Sequence, residues 1–216
     1  MVTVAAVPVK DLVNAKQRLV QLLSDEERQK LARAMTEDVL GALCRAPLDG
    51  VLVVTRDPEV IELARRFSVT ILVEPENLGH TEAVALAQRH AAAAGADRFL
   101  TIPGDVPQVT EDEIAALLAA CRTSPVAVFV PSRSGFGTNA ALLAPPDVMP
   151  LKFGEPSFAN HLAAARRRGI EPVILSLPGL GLDIDGPEDI RALVEDSRRT
   201  RTTDFLSRLN ILSRLE

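Results

Sequence analysis

The sequence has no tryptophan and no tyrosine, and only seven phenylalanines. That removes most of the flat rings on which single-stranded nucleic acid stacks. A basic excess is missing too: 24 Lys and Arg stand against 29 Asp and Glu, a net charge of −5, so the basic face of a phosphate-backbone tracker is not expected. Cysteine occurs only at Cys44 and Cys121, far apart in alanine- and leucine-rich stretches, which argues against a disulfide scaffold or a zinc cluster and for two small buried thiols. No apolar run has the length of a membrane-crossing helix, and the opening MVTVAAVPVK lacks the basic segment of a secretory signal. A cytoplasmic protein with neither a nucleic-acid nor a membrane partner is expected. The glycine-rich phosphate loop of Walker or dinucleotide type is also lacking.

What is present is an alternation. With 47% apolar and 25% charged residues, the 216-residue chain suits one compact globular domain. Short β-branched runs (TVAAV near residue 3, then 50–55, 69–74, 97–102, 125–130, 139–144 and 172–177) alternate with segments of helical period. That order predicts an α/β domain on a mostly parallel sheet. Ser24 with Glu27 and Thr110 with Glu113 have the spacing of capping boxes and mark two helix starts. Residues 57–67 and 81–95 read as further crossover helices. We divide the chain into a main domain, 1–195, and a tail, 196–216, where Phe205, Leu209 and Leu212 at helical spacing predict a short amphipathic helix packing back on the domain.

In open α/β sheets ligands bind at the carboxyl ends of strands, and several such stretches stand out. PVKDLVNAKQRL follows the first strand with Lys10, Lys16 and Arg18, cations suited to a triphosphate. In TIPGDVPQV, Pro103 and Pro107 stiffen a loop whose Gly104 permits close backbone approach and whose Asp105 is aimed above the sheet edge. In LDIDGPEDI, Asp183 and Asp185 occupy alternate positions of an extended segment and therefore face the same way, just before a helix opening at Gly186-Pro187. Thr138 and Asn139, delivered by a two-glycine loop, offer donors suited to a carboxylate or phosphate. Gly154 and Ser157 open a helix whose N-terminus favours an anion; His161 on that helix reads as a satisfied histidine rather than a ligand. Three acids with three cations suggest a Mg²⁺-dependent nucleotide site. The chemistry that fits is nucleotidyl transfer, in which an acceptor phosphate attacks the α-phosphorus of a triphosphate and needs no protein nucleophile.

Taken in order, PVKDLVNAKQRL, SDEERQKLARAMTEDVLGAL, PGDVPQV, GTNAALL, FGEPSF and LDIDGPEDI resemble the CofC/FbiD guanylyltransferases of coenzyme F420 biosynthesis, over nearly all of residues 1–195. The resemblance implies a MobA-like, Rossmann-like three-layer fold. It also implies transfer of GMP from GTP to 2-phospholactate, phosphoenolpyruvate or 3-phosphoglycerate. On this chain the family's metal acids fall on Asp105, Asp183 and Asp185, its acid-substrate contacts on Thr138, Gly154 and Ser157, and its triphosphate contacts near Lys10, Lys16 and Arg18. Where the family usually reads Gly-Leu-Asn, this chain has Gly79-His80-Thr81, a loop expected beside the base or the acceptor. A downstream transferase that collects the labile anhydride is an expected partner. Three rival readings stay open: another acceptor, as in sugar-phosphate or molybdopterin nucleotidyltransferases; a glycosyltransferase, which would transfer from a nucleotide sugar; and a non-catalytic nucleotide-binding protein.

Overall fold

The computed structural model describes residues 1–76 and 78–215. Seven strands form one sheet in the order β3-β2-β1-β4-β6-β5-β7: β1 Thr3–Pro8, β2 Gly50–Thr55, β3 Thr70–Val73, β4 Arg98–Thr101, β5 Val126–Pro131, β6 Thr138–Ala144 and β7 Val173–Ile174. All run parallel except β6, which is antiparallel to both β4 and β5. The helices are α1 Asp25–Arg45, α2 Pro58–Ala64, α3 His80–Ala93, α4 Glu111–Ala120, α5 Ser157–Arg166, α6 Pro178–Gly181, α7 Pro187–Glu195, α8 Arg201–Arg208 and α9 Ile211–Arg214.

Strand residues alternate between two cores, as the period of two requires. Ala5, Val7, Val51, Val53, Leu100, Val128 and Leu142 face α1, α4 and α7 through Met35, Ile114 and Ile190. Ala6, Leu52, Phe99, Phe129 and Leu143 face the opposite way, onto α3 through Ala83, Ala87 and Ala91 and onto α5 through Ala165. The small side chains of α3 let that helix lie close on the sheet. The result is the expected three-layer α/β/α arrangement.

Both capping boxes form: Ser24 Oγ accepts from the Glu27 N–H, Thr110 Oγ1 accepts from the Glu113 N–H, and each glutamate returns the bond to its cap. Two expectations change. Cys121 is buried but Cys44 is exposed, because it falls on the solvent face of α1. In the tail, α8 packs on α1 as an amphipathic helix, and Phe205 and Leu209 lie partly buried against the core beside the buried Leu206, Ile211 and Leu215, but Leu212 is 62% exposed. Asn210 takes a left-handed conformation, φ 50°, between α8 and α9 and breaks the single helical period assumed across the segment.

Glu113 has a second duty. Its carboxylate also accepts from the N–H groups of Gly179 (2.7 Å) and Leu180 (3.2 Å), clamping α6 beneath the loop that follows β4. A Cβ on Gly179 would lie 2.2 Å from the Gln108 carbonyl oxygen. Gly179→Ala should therefore destabilise the fold by about 2–3 kcal/mol, read as a lowered denaturant midpoint at unchanged slope. A loss below about 0.5 kcal/mol would mean that α6 can slide away from Gln108.

Candidate active site

Strand order places the site. The chain runs outward through β1, β2 and β3 and returns to β4 on the other side of β1, so the carboxyl ends of β1 and β4 flank a topological switch point. A cavity of about 520 Å³ opens there. Lys10, Lys16 and Arg18 line it from the segment after β1, Gly104 and Asp105 from the segment after β4, Asp185 from the segment before α7, and His80 from the start of α3.

Lys16 is the centre of this arrangement. Its ammonium donates to Asp105 Oδ2 at 2.6 Å and to Asp185 Oδ1 at 2.9 Å. Arg18 lies 3.9 Å from the other Asp185 oxygen, on the rim. Burial alone would lower the lysine pKa, but Asp105 and Asp185 more than reverse this and hold the ammonium charged beyond an ordinary lysine. Burial likewise pushes the Asp185 carboxyl up, and Lys16 outweighs it and brings it below its usual range. Lys16 has φ 53°, a left-handed conformation that costs a side chain about 1–2 kcal/mol. The buried Arg28 of α1 supports it, donating to the Ala15 carbonyl (3.3 Å) and the Leu23 carbonyl (3.0 Å) on either side of the loop. Asp57, the N-cap of α2, accepts from the Leu12 N–H at 2.7 Å and holds the loop's other end.

The two acid-bearing segments are joined directly: the Ile184 N–H donates to the Asp105 carbonyl at 3.1 Å. Residues 182–185 belong to no strand or helix, so Asp183 and Asp185 sit on a strap rather than a strand end. The Ile184 side chain is fully buried between them. Asp189 of α7 accepts from the N–H groups of Asp185 (3.0 Å) and Gly186 (2.8 Å) and fixes the turn. Asp183 is turned toward Asn139, whose amide donates to it at 3.0 Å. Burial raises the Asp183 pKa, Asn139 opposes the shift, and Asp105 and Asp185 add to it.

Gly104 lines the cavity and also permits a close approach behind it. Its missing Cβ leaves room for Thr36 and Val9, each 3.3 Å from where the atom would be, so the glycine lets the loop sit down on α1. Gly79 is the N-cap of α3 with φ 99°, where a side chain is strained. Thr81 does not line the cavity; its Oγ1 accepts from the Phe153 N–H at 2.9 Å.

A second polar cluster adjoins the first through Asn139 and Asp183. Because β6 runs antiparallel, its amino end, Thr138 and Asn139, reaches the same sheet edge as the carboxyl end of β4. Thr138 is hydrogen-bonded to His161 (2.9 Å) and Ser157 (3.3 Å) of α5. Gly154, with φ 108°, turns the loop leading into α5. An aromatic ladder connects the two clusters: His80 meets Phe153 edge-on at 4.4 Å, and Phe153 meets His161 edge-on at 5.2 Å. Burial lowers both histidine pKa values to about 4, so both rings are neutral at pH 7.

The donor set is one of hard carboxylate oxygens, as Mg²⁺ requires. Among the described residues, however, no three His, Cys, Asp or Glu side chains form a ready metal cluster. The cation between Asp105 and Asp185 is Lys16, and Asp183 is engaged by Asn139. Arg28, Asp57, Asp189 and His161 are further supports of the site. Only the helix-start positions of Asp57 and Asp189 gave a local signal for them.

Comparison with known proteins gives the family and the fold. Residues 3–216, tail included, match the family model described as guanylyl transferase, CofC like. The chain is 42% identical to the phosphoenolpyruvate guanylyltransferase of Sphaerobacter thermophilus, over 89% of this chain and 93% of that protein. It is 34% identical to the 2-phospho-L-lactate guanylyltransferase of Methanothermobacter thermautotrophicus, over 97% and 92%. In fold it is similar to a solved Desulfovibrio desulfuricans protein provisionally described as a nucleotide-diphospho-sugar transferase, with a TM-score of 0.79 at 18% identity over 100% and 97% of the two chains. With the family matched over nearly its whole length, the chain belongs to the CofC-like guanylyl transferases, a family of nucleotidyltransferases.

Proposed function

We propose that this protein transfers GMP from GTP to a small phosphorylated acid, releasing pyrophosphate, in the cytoplasm and as a step toward coenzyme F420. The observation that carries the reading is the Lys16–Asp105–Asp185 cluster at the switch point, beside the Thr138–Ser157 cluster. The first suits a triphosphate and the second a phosphorylated carboxylate. Membership of a guanylyl transferase family supports guanine as the base, and the phosphoenolpyruvate and 2-phospho-L-lactate relatives support the acceptor class. No helix among the described residues is long and apolar enough to cross a membrane.

In this reading an oxygen of the acceptor phosphate forms a new bond to the α-phosphorus. The α–β bridging P–O bond breaks, and pyrophosphate leaves with the electron pair. The attacking oxygen is already anionic, so no side chain need remove a proton. Lys10, Lys16 and Arg18 hold the triphosphate, while Thr138, Asn139, Gly154 and Ser157 orient the acceptor. Asp105, Asp183 and Asp185 would hold Mg²⁺, which when bound supplies charge neutralisation at the phosphates. The product is a reactive phosphoric anhydride, which calls for a second transferase that passes its activated group to an alcohol or similar nucleophile.

The test crosses GTP, ATP, CTP and UTP with 2-phospholactate, phosphoenolpyruvate and 3-phosphoglycerate and measures pyrophosphate release with Mg²⁺. Release that requires GTP together with one of the acids is expected. Release with a sugar phosphate instead, or none with any acid, would overturn the acceptor assignment.

A further inference from the structure

We infer that His161 is a positioning residue that forces the Thr138 hydroxyl hydrogen outward, making Thr138 an obligatory donor to the acidic substrate; this rests on the acceptor site proposed above. The Lys152 backbone N–H lies 3.0 Å from His161 Nε2 and can only donate, so Nε2 carries no hydrogen. A neutral imidazole must then carry its hydrogen on Nδ1, which lies 2.9 Å from Thr138 Oγ1 and donates to it. The Ser157 hydroxyl donates to the same oxygen at 3.3 Å.

Both lone pairs of Thr138 Oγ1 are thereby occupied. Its own hydrogen has to leave the cluster, and a carboxylate or phosphate oxygen is the partner that suits it. A reversed tautomer would set two N–H groups against each other at Lys152. The ring is also fixed in angle, being 2% exposed, stacked on Phe129 at 5.4 Å with planes 5° apart, and met edge-on by Phe153. This order of donors is settled before substrate arrives, which is how a preorganised site favours one charge type.

The test measures KM for GTP and for the accepted acid in the wild type, His161→Phe, His161→Asn, Thr138→Val and the His161→Phe/Thr138→Val double variant, with thermal melts alongside. Phe keeps the stacking but donates nothing; Asn can place an amide N–H near Nδ1. His161→Phe should raise the acid's KM by ~10–100-fold and leave that of GTP within ~3-fold. Asn should recover most of the loss, and the double variant should be no worse than Thr138→Val alone. Additive losses, or Asn no better than Phe, would show that His161 merely fills space. Imidazole ¹⁵N spectra of the free protein decide the tautomer independently of turnover: hydrogen on Nδ1 and a bare Nε2 support the inference, and the reverse sinks it. A wild type that releases no pyrophosphate with any acid would instead strike the proposed function.

Discussion

Asp105→Asn should lower pyrophosphate release by ~10³-fold or more while the protein stays folded. Asparagine keeps the shape and one oxygen of the side chain and removes only its charge. The loop would hold, because the Asp105 backbone carbonyl still receives the Ile184 N–H and Pro103 and Pro107 still frame it. Lys16 would keep Asp185 as a partner at 2.9 Å. What disappears is the one carboxylate in the segment after β4, opposite the two on the strap. Any charge compensation for a triphosphate that depends on acids from both sides of the switch point then fails. Pyrophosphate release and a melting curve on the same preparation separate chemistry from folding. Activity within ~10-fold of wild type would reduce Asp105 to a counter-ion for Lys16.

Much of this molecule was legible one segment at a time. The β-branched runs gave the strands to within a few residues, and the Ser24 and Thr110 capping boxes gave two helix starts, because both signals depend on neighbours within one turn. Gly154 and Asp105 were visible for the same reason, each set in a short stretch of unusual backbone. What could not be read was pairing over distance. Nothing local says that Lys16 will take a left-handed conformation to meet carboxylates 89 and 169 residues away. Nor does the sequence of β6 announce that it runs backward and so delivers its first residues, rather than its last, to the site. Thr81 shows the same limit: beside His80 in sequence, it holds the Phe153 backbone and stays out of the cavity that His80 lines, because successive residues at a helix start point in different directions. His161 looked like a satisfied histidine, and it is one. Its use lies in the tautomer imposed by Lys152, a backbone group nine residues earlier in sequence but across the loop in space.

Lys16→Met should change two measurements in opposite directions. Removing the ammonium leaves Asp105 and Asp185 facing each other without the cation that now lies 2.6 and 2.9 Å from them. The pair then becomes a stronger attractor for any other cation. Affinity of the nucleotide-free protein for Mg²⁺ or Mn²⁺, measured by calorimetry, should rise by ~10-fold. The same change removes a buried positive charge from the cavity where a triphosphate would lie, so kcat/KM for GTP should fall by ~10²–10³-fold. Methionine keeps most of the unbranched side chain, which limits the packing change to the loss of charge. If Lys16 served only to hold the loop, both quantities would fall together as the left-handed turn relaxed. If it served only the triphosphate, catalysis would fall and cation affinity would stay where it was. A rise in one with a fall in the other identifies Lys16 as a cation that neutralises the acids before substrate arrives and must be exchanged when it does.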